Sequence, residues 1–144
     1  MANILVSACL LGLECRYKGD SCENSAVLEL AKEHTLIPVC PEQLGGLATP
    51  RAPSEITAGK VMNNQGQDVT ENYRKGAEAA LRIAQLNGVK VAILKAKSPS
   101  CGSGLIYDGS FSGSKIPGDG ISAALLKEHD IAVYTEDEIN DIKL

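Results

Sequence analysis

The chain has 144 residues, 44% of them hydrophobic, with no Trp, one Phe and a formal net charge of −4. That length suits one domain whose core is built from Val, Ile, Leu and Ala, and the acidic balance excludes the basic footprint a long nucleic acid would need. No apolar run approaches the ~20 residues of a bilayer span, and the amino terminus enters a strand without a basic, then apolar, leader, so a cytoplasmic protein with no membrane partner is expected.

Residues 3–8 form a short apolar run that reads as a buried strand. After a loop from Leu10 to about Asn24, Asn24 or Ser25 caps a helix running to about His34, with Val27, Leu28 and Ala31 on one face. Residues 35–40 form a second strand, which Pro38 assigns to a sheet edge or a bulge. From Pro41 to Val69 the chain reads as irregular, with residues 60–62 and 67–69 pairing as a small hairpin around Asn63-Asn64-Gln65-Gly66. Thr70 caps a helix with Tyr73, Ala77, Ala80, Leu81 and Ala84 inward, ended by Asn87-Gly88. Residues 89–95 form a third strand, and a Gly- and Ser-rich stretch covers 98–120. A helix over about 121–128, a strand over 131–134 and a terminal helical turn over 136–142 complete the chain. This β-α-β-α-β-α-β order predicts a single α/β domain over residues 1–144. It should have three layers, with a mainly parallel, Rossmann-like sheet between two helical faces.

The chemistry concentrates in the cysteines. Five of them, an odd number, in a reducing compartment do not suggest a disulfide framework. Cys9 closes the first strand, Cys40 closes the second, and Cys101 follows the third after a short polar stretch. Parallel strands bring their carboxyl ends to one edge, where ligand sites form, so these three thiols can meet in one pocket. Soft sulfur donors suit zinc, copper(I) or an iron–sulfur cluster, although no Cys-x-x-Cys pair is present. Plain packing of small buried thiols is the alternative, and it is the default for Cys22. Cys15 and Cys22, in the loop after the first strand, are the runners-up as ligands.

Glu42, two residues past Cys40, brings a carboxylate suited to general acid–base work near the same pocket. Ser100, next to Cys101, can hydrogen-bond a reacting group or relay a proton. Arg51, Glu55, Tyr107 and Asp119 lie in the two long loops and are candidates for the mouth. His34 and His129 end helices, where a positive charge suits the dipole, and neither is assigned a catalytic role. A tyrosine-phosphatase loop is excluded because Arg16 follows Cys9 by seven positions rather than six. A dinucleotide fingerprint is missing after the first strand, and the glycine-rich stretch lacks a P-loop ending.

Several segments carry a family resemblance: residues 6–12 (VSACLLG), Cys15-Arg16-Tyr17, Pro38-Val39-Cys40-Pro41-Glu42, Gly45-Gly46-Leu47, Thr49-Pro50-Arg51 and Ser98-Pro99-Ser100-Cys101-Gly102. With Ile106-Tyr107-Asp108-Gly109, Phe111-Ser112-Gly113 and Pro117-Gly118-Asp119-Gly120, they resemble the bacterial thiouracil desulfidase family, long filed as a domain of unknown function. Tyr17-Lys18-Gly19 stands where the family often has Tyr-Asp-Gly, outside the ligand motifs. The resemblance implies a [4Fe-4S] cluster held by Cys9, Cys40 and Cys101, one that an aerobic preparation can lack. It also implies catalytic roles for Glu42 and Ser100. The implied reaction is a non-redox desulfidation of a small thiolated nucleobase or nucleoside of the 4-thiouracil type, with water replacing sulfur and sulfide released via the open cluster iron. The competing reading is a non-catalytic metal or cluster protein, with a structural site or a sulfur store. The sequence assigns no oligomeric state.

Overall fold

The computed structural model describes residues 1–144. Its strands are β1 (Asn3–Ser7), β2 (Thr35–Val39), β3 (Ser54–Thr57), β4 (Lys60–Asn63), β5 (Val91–Leu94), β6 (Leu105–Tyr107), β7 (Lys115–Pro117) and β8 (Ala132–Thr135). Its α-helices are α1 (Ser25–Glu29), α2 (Pro41–Leu44), α3 (Thr70–Leu86) and α4 (Ile121–Glu128). A parallel sheet in the order β2-β1-β5-β8 forms the middle layer. Central β1 pairs on both sides, Ile4 lying opposite Leu36 of β2 and Val91 of β5. Ile4, Leu5 and Val6 are all fully buried, as expected for a strand covered on both faces.

Alternation along these strands divides the core in two. Leu5, Ala92 and Leu94 pack with Leu81 and Ala84 of α3 and Ala123 and Leu126 of α4. Ile4, Val6 and Ile93 face the other way, onto Val27 of α1 and Ile139 of the 3-10 segment Glu136–Asp141. The expected three-layer, Rossmann-like α/β architecture is therefore present. Pro38 falls in edge strand β2, where its missing N–H breaks no ladder. No helix is long and apolar enough to cross a membrane.

Four local expectations need correction. The stretch 41–69 is not irregular throughout, because Pro41 at the first helical position starts the one-turn helix α2. The main hairpin pairs β3 with β4 around Ala58-Gly59, both at positive φ, while the expected 60–62/67–69 pairing is reduced to a single Met62–Asp68 bridge. Thr70 is the first residue of α3 rather than its cap. Asp68 Oδ1 accepts from the Thr70 backbone N–H and hydroxyl at 2.9 and 2.6 Å, and the Thr70 oxygen accepts from Val61 N–H. The first helix ends at Glu29 and continues only as a 3-10 turn, Leu30–Lys32. Within 98–120, β6 and β7 form a second small hairpin.

From β1 the chain first crosses to β2 on one side and then to β5 on the other. The carboxyl ends of β1 and β5 flank this reversal, the point at which open α/β sheets hold ligands.

Candidate active site

A cavity of about 410 Å³ opens at that edge. Cys9 reaches it from the buried 3-10 turn Ala8–Leu11 that follows β1, and Cys40 from the position preceding α2. Cys101 arrives on the loop after β5, which is clamped to α4. Ile121 N–H donates to the Pro99 carbonyl at 2.9 Å and Ser122 N–H to the Ser100 carbonyl at 2.8 Å, so the loop satisfies the free amides of the helix start. Ser98 Oγ also accepts from the N–H groups of Ser100 and Cys101.

Cys15, a runner-up from the sequence, is in the wall as well. It is buried, and the Cys40 thiol donates to its backbone carbonyl at 3.7 Å. Its distance from any strand end in sequence does not keep it away, because the loop folds back over the cavity. Cys22 does not line the cavity. Hydrogen bonding to Cys40 lowers the Cys15 pKa, but the neighbouring Cys9 and burial raise it further. The Cys40 thiol is pushed well up by its hydrogen bond with Cys15 and by burial. Burial pushes Cys101 up to about 12, against hydrogen bonds from Ser7 and Ser100. These thiols are therefore neutral without a cation, and binding a metal releases their protons.

Glu42 lies in the cavity wall but is not an isolated carboxylate. Its Oε2 accepts from Arg51 Nε at 2.9 Å and from Tyr73 OH at 3.2 Å. Oε1 takes no hydrogen bond, and since no buried side-chain oxygen is unpartnered, Oε1 keeps solvent access on a residue that lines the cavity. Arg51 also donates to the carbonyls of Cys15 and Ala48 at 2.9 and 3.3 Å, so one guanidinium ties the acid to the thiol-bearing loop. Burial works against the Arg51 charge, and the adjacent Glu42 more than offsets it. Tyr73 is held neutral by burial and by that carboxylate.

Ser100 is not in the cavity wall. It is fully buried, and its hydroxyl pairs with Ser122 Oγ at 2.8 Å. Of the four loop residues considered for the mouth, Arg51, Glu55 and Tyr107 line the cavity, but Asp119 does not; it accepts from Gly104 N–H and pairs with Lys127, both at 2.9 Å or less. Tyr17, Tyr73 and Lys95 were not singled out from sequence as site residues. Tyr73 was placed only on the inner face of its helix, and Tyr17 only within the Cys15-Arg16-Tyr17 motif.

The donor set fits a soft metal group. No three His, Cys, Asp or Glu side chains converge on a single-ion position. A cluster, whose irons are separate points of attachment, does not require them to.

Comparison with known proteins agrees with this chemistry. The 2-thiouracil desulfurase family profile matches residues 4–138. The chain is 46% identical to the "uncharacterized protein YbbK" of Bacillus subtilis (strain 168), over 96% of this chain and 99% of that one. It superposes on the solved structure of the [4Fe-4S]-dependent thiouracil desulfidase TudS with a TM-score of 0.93. That match has 43% identity and covers 98% of this chain and 95% of that one.

Proposed function

The chain belongs to the 2-thiouracil desulfurase family, and from that membership and its cavity we propose that it is a [4Fe-4S]-dependent enzyme that removes sulfur from a small thiolated pyrimidine base or nucleoside. The observation that carries this reading is the delivery of Cys9, Cys40 and Cys101 from three strand ends into one cavity that also holds Glu42. These three thiolates would hold the cluster, which supplies a Lewis-acidic iron with an open position for soft sulfur.

The chain's own residues carry the hydrolytic half. Water attacks the thiocarbonyl carbon, a C–O bond forms and the C–S bond breaks, so thiopyrimidine and water give pyrimidine and hydrogen sulfide. Glu42 Oε1, free of protein partners, takes the proton from the attacking water and returns it to the departing sulfur. Arg51 and Tyr73 fix the other oxygen and so set the direction of Oε1. Ser100, buried against Ser122 beside Cys101, holds the ligand loop rather than the substrate.

Anaerobically reconstituted protein is expected to convert 4-thiouracil to uracil with stoichiometric sulfide. Cys9→Ala should lose both cluster absorbance and turnover. Absence of cluster absorbance in the wild type, or undiminished turnover by Cys9→Ala, would exclude the reading and favour a non-catalytic metal or cluster protein.

A further inference from the structure

The rim of the cavity carries a side chain that the sulfur chemistry does not use. Phe111, the chain's one phenylalanine, lines the cavity but remains 40% exposed and belongs to neither apolar cluster. Its backbone φ is +56°, in the left-handed region that bulky side chains avoid. Such a conformation persists only where the surroundings enforce it. Here they do. Glu55 of β3 reaches across, its Oε1 accepting from the N–H groups of Gly109 and Phe111 at 3.0 and 3.2 Å. The Thr57 hydroxyl donates to the Gly109 carbonyl at 3.3 Å. Gly109, at φ +94°, sits so close to β3 that a Cβ would lie 2.6 Å from the Ile56 carbonyl oxygen. Asp108 Oδ1 then closes the turn by accepting from Ser110 N–H at 2.9 Å.

The loop is thus bound to β3 through side chain, carbonyl and a glycine contact, with an exposed aromatic ring at its tip over the cavity. Packing explains none of this. Tyr17 and Tyr107 line the same cavity, so its walls offer aromatic surface as well as thiols.

We infer that Phe111 is a substrate-binding residue, whose ring forms the stacking face for the flat pyrimidine of the thiolated substrate. This rests on the desulfidation reading for the nature of the ring it meets. Aromatic stacking tolerates varied substituents, because it recognises the π-face of the base rather than its edges. Glu55 is the positioning residue, acting through the loop amides.

The test compares Phe111→Asn, Phe111→Leu and Phe111→Tyr in the anaerobically reconstituted protein. Asn tolerates the left-handed backbone, so it removes the ring without disturbing the turn. Asn and Leu should raise KM for 4-thiouracil about fivefold or more with kcat within about twofold, while Tyr should stay near wild type. Binding of sulfur-free uracil, followed by ligand-observed NMR, should weaken in the same order, and the melting temperature of Phe111→Asn should stay near that of the wild type. Unchanged KM and uracil binding in Asn and Leu would overturn the inference. So would a Tyr variant no better than Leu, or a large loss of melting temperature in Phe111→Asn. If the wild type removes no sulfur, the proposed function fails, yet the uracil-binding order still decides the role of the ring.

Discussion

Glu42 shows how much one carboxylate can be constrained by its neighbours. With Oε2 engaged by Arg51 and Tyr73, only Oε1 is available to water. Glu42→Gln keeps the shape and loses the base, so kcat should fall about 10²- to 10⁴-fold while cluster absorbance and KM change little. Steady-state kinetics beside the visible spectrum check both. Ser100 gives a different signature. Ser100→Ala leaves Ser122 Oγ without its buried partner, a cost of about 1–3 kcal/mol, and loosens the tie between α4 and the loop that carries Cys101. A lower melting temperature together with faster loss of cluster absorbance under a chelator is the expected result. Ser122→Ala should reproduce the stability loss with a smaller effect on the cluster. Among the residues, the meeting of Cys9, Cys40, Cys101 and Glu42 at one cavity was legible, because Cys9 and Cys40 follow strand ends, Glu42 lies just past Cys40 and Cys101 is on the loop after β5. The burial of Ser100 was not, because a serine in a Ser-Pro-Ser-Cys run carries no sign of which way its hydroxyl points. Nor was the place of Cys15, since closure of its loop depends on Arg51, 36 positions away.

At the scale of elements, the site depends on how closely α2 approaches α3. A Cβ on Gly76 of α3 would overlap the Pro41 carbonyl, and one on Gly45 would overlap the Asn72 carbonyl. Asn72 Nδ2 also donates to the Gly45 carbonyl at 2.9 Å. These contacts seat α2, and with it Cys40 and Glu42, against the long helix. Gly76→Ala cannot be absorbed by a side-chain rotation, because its neighbour is backbone. It should destabilise by about 1–3 kcal/mol and lower cluster occupancy, although Gly76 itself is no part of the cavity wall. Thermal melts and iron content per chain measure the two effects. The long helix was readable from its 3.6-residue apolar period, whereas α2, a single turn, is too short to show any period. The β3–β4 turn was missed for a related reason. Its first central residue is Ala58 at φ +50°, not the Asn or Asp that usually marks such turns, while Asn63-Asn64-Gln65-Gly66 next to it carries the stronger signal.

For the whole molecule, most of the apolar core lies away from the cavity, and only its margin reaches the wall, with Cys9 and Cys15 in one cluster and Cys101 in the other. The two apolar clusters lie on the two faces of the sheet, and the cavity opens at its carboxyl edge. Removal of the cluster by a chelator should therefore leave far-UV circular dichroism and most of the thermal stability in place, while abolishing turnover. Unfolding on chelation would instead mark a structural staple. The α/β class and the parallel sheet were legible because buried parallel strands are short, β-branched and apolar on both faces, which sequence displays directly. The order β2-β1-β5-β8 is not written in any one segment, because it arises from the direction of each crossover.

The convergence of Cys9, Cys40 and Cys101 also orders events in time. No segment shorter than residues 9–101 contains all three thiols, and Cys101 is oriented by α4, which lies later still. A chain leaving the ribosome cannot assemble the proposed ligand set until nearly all of it has been made and the sheet has closed. With that ligand set, insertion of the cluster follows synthesis of most of the chain instead of accompanying it.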